Sequence, residues 1–128
     1  MQQHHVRPDG MPPVNGYSHA VAYDGRTVVI SGQVPLDAGG NLVGADDPEA
    51  QIEQVFGNIR KAVEAAGGTM ADIVKITVFL TDLADLPVFR AVRDRHVSLD
   101  NPPASSLVRV AGLVDPRFRV EVEAIAAL

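Results

Sequence analysis

Apolar positions along this chain recur at two different periods, and the switches between them mark its elements. Near the C-terminal end Phe118, Val120, Val122 and Ala124 alternate with Arg119, Glu121, Glu123 and Ile125, the period of two that gives a strand one apolar face and one largely charged face. Val108 and Val110 alternate in the same way with Leu107, Arg109 and Ala111. The segment 112–117 between the runs carries Gly, Asp and Pro, so the pattern predicts that the two strands pair as a hairpin.

The earlier chain is punctuated by turn residues. Residues 4–7 read as a short edge strand ended by Pro8-Asp9-Gly10, and Pro12-Pro13-Val14-Asn15-Gly16 is a stiff loop closed by Tyr17, because prolines remove donors and hold their neighbours extended. Runs at 18–23 and 27–31 flank Asp24-Gly25-Arg26, and Asp-Gly between apolar runs predicts a second hairpin. The Gly-rich, polar stretch 37–47 reads as a surface loop or small hairpin.

The period then changes to 3.6. Asp47-Pro48-Glu49 is a helix start, with a capping acceptor, a proline at the first helical position and an acid facing the positive end of the dipole. Ile52, Val55, Phe56, Ile59, Val63 and Ala66 form one stripe, and Gly67-Gly68 ends it. Residues 72–80 are rich in β-branched side chains, with Val74, Ile76, Val78 and Leu80 on one face and Lys75 and Thr77 on the other, which suits a central strand. Thr81-Asp82 caps a second helix from Ala84 to about Val97, with Leu86, Phe89, Val92 and His96 or Val97 turned inward. Asn101-Pro102-Pro103 breaks the chain before the final strands.

The order strand, hairpin, helix, strand, helix, hairpin predicts one α/β (α+β) domain over 1–128, a mixed six-stranded sheet with both helices on one face. The other face carries too many apolar residues to stay in water, so self-association is expected to cover it.

Composition narrows the function classes. With 128 residues, 46% apolar and 21% charged, the chain is long enough for one core and has no apolar run of bilayer length. The first ten residues lack the apolar stretch of a signal peptide, so a cytoplasmic protein is expected. Absence of cysteine excludes disulfides, a thiol nucleophile and thiolate metal ligation. A net charge of −5 without a basic stripe argues against a nucleic-acid partner. His4, His5, His19 and His96 are not spaced as a helical metal pair, so no metal site is expected.

Several separated motifs together resemble the Rid (reactive intermediate deaminase, YjgF-like) family. They are Ser31-Gly32-Gln33-Val34-Pro35; Gln51, Gln54, Asn58 and Ile59; the run from Asp72 through Lys75-Ile76-Thr77-Val78 to Asp82; Pro103-Ala104; and Val120-Glu121-Val122-Glu123-Ala124. The resemblance covers nearly the whole chain. It implies a chorismate-mutase-like fold, a homotrimer with small-molecule clefts between subunits, and hydrolysis of 2-imino or enamino acids to 2-oxo acids and ammonia without metal or cofactor.

Carried over by position, the resemblance makes Glu121 the carboxylate that positions the attacking water, and Tyr17 and Ser31 substrate contacts. Ser105 stands where active members have the arginine that grips the substrate carboxylate. Arg90 falls at a cleft asparagine position and His19 at a glutamine position beside the cleft tyrosine. A hydroxyl cannot reproduce a guanidinium's charge and two-pronged fork. The usual small imino acids are therefore expected to be poor substrates, leaving another imine, enamine or related reactive intermediate; the alternative is a trimer that binds small molecules or partners without catalysis. Plain structural roles stand beside these: Glu121 as a strand carboxylate paired with Arg109 or Arg119, Ser105 and Ser106 as hydroxyls bonding nearby backbone, and Arg90 as a solvent-facing helix residue, against the reading in which Arg90 enters the cleft and recovers an anion site from the helix side.

Overall fold

The helix stripe read from the sequence packs as its period demands. In the computed structural model, which describes residues 1–128, helix α1 spans Pro48–Ala65, and the Asp47 carboxylate accepts the Ala50 N–H at 3.2 Å. Ile52, Val55, Phe56, Ile59 and Val63 are fully buried, and Gly67, at φ +93°, follows the Ala66 cap. Helix α2 spans Leu86–His96, shorter than the pattern suggested. Asp82 does cap, accepting from Ala84 N–H at 2.9 Å, but a 3-10 turn over Leu83–Asp85 comes first. Pro87 lies in the first turn of α2, where its missing N–H is tolerated, so α2 proper begins there. Phe56 joins the helices, with Phe89 at 5.9 Å between ring centroids and the His96 ring stacked on it at 5.1 Å.

Both helices lie on one face of a four-stranded sheet. It contains β3 (Thr27–Gln33), β4 (Ile73–Leu80), β5 (Ala104–Arg109) and β6 (Val120–Ala127) in the order β3-β6-β4-β5. The other two strands, β1 (Gln2–His5) and β2 (Ala20–Tyr23), form a separate antiparallel ribbon. A bridge between Ser18 and Ala104 and hydrogen bonds from Ser18 to Pro102 and Pro103 carbonyls tie the ribbon to the β5 edge. The mixed character is as expected, since β4 and β5 run parallel and the remaining pairs antiparallel, but the six strands divide four and two.

Both predicted hairpins are corrected by this topology. β5 and β6 do not pair; β6 lies between β3 and β4, and β5 is the edge strand beside β4. The cause is burial. β6 buries Val120, Val122, Ala124 and Ala126 on the helix side and half-buries Ile125 on the other, which suits a central strand, whereas β5 exposes Ser106, Val108 and Arg109. The α2 crossover from β4 also returns the chain parallel to β4, as strand–helix–strand units do. In the second case Gly25, at φ +98°, does turn the chain. The strands then part: β2 pairs with β1, β3 pairs with β6, and Arg26 exchanges both backbone hydrogen bonds with Leu128.

β1 lies two residues earlier than expected because its inward side chains are polar. Gln2 donates to the Asp72 carbonyl at 3.1 Å, and His4 Nδ1 meets the Pro102 carbonyl at 2.9 Å, so hydrophobic periodicity cannot register it. Val74 is also reassigned. The β4–β6 register slips between Ile73 and Lys75, and Ile73, not Val74, joins Ile76, Val78 and Leu80 in the main core. Within 37–47 a small turn runs from Asp37 to Asn41, flanked by a bridge between Leu36 and Leu42, and Asp37 Oδ1 accepts the Gly39 and Asn41 N–H groups.

No helix is long and apolar enough to cross a membrane. The sheet face away from the helices has no cover within the chain. Phe79 and Ile125 are half-buried there, and Val29 is 78% exposed.

Candidate functional site

The sheet distributes the candidate residues between its two faces. Ser105 is in register with the core residue Ile76 and, with Leu107, turns toward α2. Glu121 is in register with Phe79, between the fully buried Val120 and Val122, and so turns to the bare face. One chain therefore does not bring Glu121 together with Ser105.

On the helix side, a cleft of about 320 Å³ opens between the β5 edge, α2 and the loop before β2. Ser105 and Leu107 supply its strand wall, Leu86, Phe89, Arg90 and Arg93 its helix wall, and Asn15 and Tyr17 its loop wall. Of the residues read as substrate contacts, Tyr17, Ser105 and Arg90 thus share this cleft. The hydroxyls of Tyr17 and Ser105 hold no hydrogen bond within the chain, whereas Ser106, on the opposite face, accepts from Lys75 Nζ at 2.8 Å. Arg90 is exposed at the cleft rim.

Arg93 is the cleft residue that sequence reading missed. It is only 5% exposed, and a buried arginine breaks the apolar stripe on which the inward face of α2 was read. Its Nε and Nη2 both donate to Asp94 Oδ1, at 3.0 and 2.9 Å, and Nη2 also donates to Asn15 Oδ1 at 3.0 Å. The one signal available in the sequence was spacing, since Arg93 follows Phe89 by four residues and so shares its helix face. With Arg93 present, the cleft is not without a cation when Ser105 is neutral.

His19 does not line the cleft. Its ring meets Tyr17 edge-on at 5.5 Å and its Nε2 bonds the Pro12 carbonyl at 2.9 Å, so it braces the tyrosine and the proline loop from behind. Ser31 is exposed where the β3–β6 register slips between Ile30 and Gln33, beside Gly32 and away from Ser105.

The Glu121 carboxylate has no hydrogen-bond or ion-pair partner in the chain. Arg119 is engaged elsewhere, donating twice to Asp85 at 2.8 and 3.0 Å, and this bidentate pair raises the Arg119 pKa above its ordinary value. The expected pairing of Glu121 with Arg119 is therefore absent. Gly32 lies directly against Glu121, and a side chain there would collide with its carboxylate. No group of three or more His, Asp or Glu side chains is arranged to hold a metal ion.

Comparison with known proteins agrees with this architecture. The family model described as Endoribonuclease L-PSP matches residues 8–128. The chain is 41% identical over 104 residues to the 2-iminobutanoate/2-iminopropanoate deaminase of Salmonella typhimurium, a match spanning 80% of each chain. It is 37% identical over 124 residues to Protein DfrA of Myxococcus xanthus, covering 94% of this chain and 92% of that one. Its backbone matches the crystal structure of a Rid-family protein from Yersinia pestis with a TM-score of 0.91 at 34% identity, over 99% of this chain and 98% of the other.

Proposed function

The chain belongs to the Rid, or endoribonuclease L-PSP, family, and from that premise we propose that it is an imine deaminase-type hydrolase. In this reading it adds water across the C=N bond of a small imine or enamine and releases ammonia and a carbonyl compound. The observation that carries the proposal is the unpartnered Glu121 carboxylate, laid against a glycine on a strand face. A carboxylate with free lone pairs can accept a proton from water and so orient it for attack.

The chemistry asks little of the protein. Water oxygen bonds to the imine carbon as the π pair moves to nitrogen, and the proton lost by water is returned to nitrogen by way of Glu121. The carbinolamine hydroxyl then gives its proton, by way of Glu121, to the amino nitrogen as the C–N bond breaks, so that the bonding pair leaves with nitrogen as ammonia. An enamine first tautomerises to the imine, gaining a proton at its β-carbon and losing one from nitrogen, and then follows the same course. Tyr17 and Ser105 offer hydroxyls to the developing charge, and fixed donors of this kind stabilise a polar transition state.

Because Glu121 and the cleft lie on opposite faces, the proposal includes a homotrimer in which the bare sheet face is covered by a neighbouring copy and the cleft of one copy meets Glu121 of the next. The exposed Val29 and Val108 favour such cover. RNA is disfavoured as a substrate in spite of the family description, since a chain of net charge −5 repels a polyanion.

The test is release of ammonia and oxo product from a panel of imines made in situ. It runs from 2-iminopropionate and 2-iminobutyrate to bulkier imino acids and ring-opened enamines such as aminomuconate, because Ser105 leaves the strand wall neutral. Turnover of one member, lowered about 10²-fold or more by Glu121→Gln, is expected. Binding of oxo products without turnover of any imine would move the assignment to a non-catalytic binding trimer.

A further inference from the structure

The Arg93 guanidinium is built into the cleft from three sides. Asp94 and Asn15 take the hydrogens of Nε and Nη2, and Gly16, at φ +68°, passes so close that any side chain there would strike the guanidinium. Nη1 alone has no partner. Among buried side-chain nitrogen and oxygen atoms only His96 Nδ1 lacks one, so Nη1 must reach open space, and the cleft is the open space that Arg93 lines.

The charges that one chain places around it leave the cleft positive before Glu121 of the neighbouring copy meets it. Arg90 and Arg93 both line it, no Asp or Glu does, and the Asp94 carboxylate offsets one of the two cations from the side away from Nη1. Facing the arginines are neutral hydroxyls, and the remaining wall is Leu86, Phe89 and Leu107. A cleft with a fixed cationic donor at one side and an apolar wall beside it selects an amphipathic anion.

We propose that Arg93 Nη1, with Arg90 at the rim, is the anion-receiving group of this cleft, and that the ligand enters with its carboxylate toward α2 and its apolar side chain against Leu86, Phe89 and Leu107. A carboxylate fits better than a phosphate, because one free amino group with neutral hydroxyls satisfies a single charge and leaves a dianion under-coordinated. The assignment deepens the imine-hydrolase reading of the same cleft and rests on it for the identity of the ligand, but its test needs no turnover.

The probes are 2-oxobutanoate, its uncharged methyl ester and inorganic phosphate, titrated into the intact protein by calorimetry or by NMR shifts. The acid should bind about tenfold to a hundredfold more tightly than the ester, and Arg93→Met should remove that preference. Since Arg93 also holds Asn15 and Asp94, a second variant, Ser105→Asp, sets a carboxylate in the opposite wall and should remove the preference while leaving the arginine's own bonds in place. Equal binding of acid and ester by the wild type, phosphate binding as tight as the acid, or a preference that survives in a folded Arg93→Met or Ser105→Asp protein would each overturn the assignment. If the preference is found and no imine is hydrolysed, the anion site stands and the hydrolase reading fails; if imines are hydrolysed and acid and ester bind alike, the reverse holds.

Discussion

Ser105 and Glu121 stand on opposite faces of one sheet, the first in register with Ile76 toward the helices and the second in register with Phe79 toward the bare side. A ligand touching both must therefore sit between two copies of the chain. Tyr17→Ala and Glu121→Ala, each inactive alone, should regain activity when unfolded together and refolded as a mixture, because some interfaces then pair an intact cleft with an intact carboxylate. Light scattering on the wild type should give the mass of a trimer. A monomer at micromolar concentration, or a mixture that stays inactive, would show that the two faces never meet.

Gly32 leaves room for the Glu121 carboxylate, and a β-carbon there would force it aside. Gly32→Ala should lower kcat for the proposed imine hydrolysis by at least about tenfold, a loss on the scale of a misplaced proton-transfer group. Thermal stability should change little, because the displaced atoms are the far end of a flexible side chain. Unaltered kcat would mean that the observed carboxylate position is not the working one.

Gln51 is a fully buried amide with every strong bond made. Its Oε1 accepts the Arg119 N–H at 2.8 Å, and its Nε2 donates to the Gly44 and Arg117 carbonyls at 3.0 and 2.9 Å. Replacing it with leucine strands three backbone groups, so Gln51→Leu should destabilise the fold by about 3 kcal/mol in denaturant titration, the sum of partial desolvation losses set against a gain in apolar packing. A neutral result would indicate that water replaces the amide.

Glu53 links α1 to α2, meeting His96 Nε2 and Arg95 Nη1, each at 2.8 Å. Partial burial pushes its pKa up, but the hydrogen bonds from His96 and then Arg95 outweigh it and leave the carboxyl below its ordinary 4.5. A depressed carboxyl contributes stability that is present above the unfolded value and lost as pH falls through the folded one. Unfolding midpoints should therefore drop below about pH 4.5, and Glu53→Gln should flatten that limb without altering the neutral-pH slope. An identical acid limb in the variant would assign the loss to other carboxylates.

Helix α1 was legible almost to the residue, because cap, proline, stripe and terminal glycine are all local signals within 47–68. The strands were legible as strands but not as partners: both predicted hairpins failed although the turn at Gly25 formed. The candidate site divides in the same way. Tyr17, Ser105 and Arg90 are legible from the family motifs and share a cleft, whereas Arg93 is not, because a charged residue on an apolar helix face is invisible to hydrophobic periodicity. β1 escaped for the same reason, with Gln2 and His4 on its inner side.

The sequence by itself determined most of the apolar side chains that point into the core, with Val74 the exception at a register slip, since alternation and the 3.6-residue stripe are properties of short segments whose geometry the backbone fixes. Only the tertiary structure decided that β6 lies between β3 and β4, that Glu121 and Ser105 part to opposite faces, and that Asn15 and Asp94 hold Arg93 with one nitrogen free. Strand order is set by competition among distant segments for the most buried positions, and the Arg93 pocket by contacts between residues 15 and 93, so neither is written within any one stretch of chain.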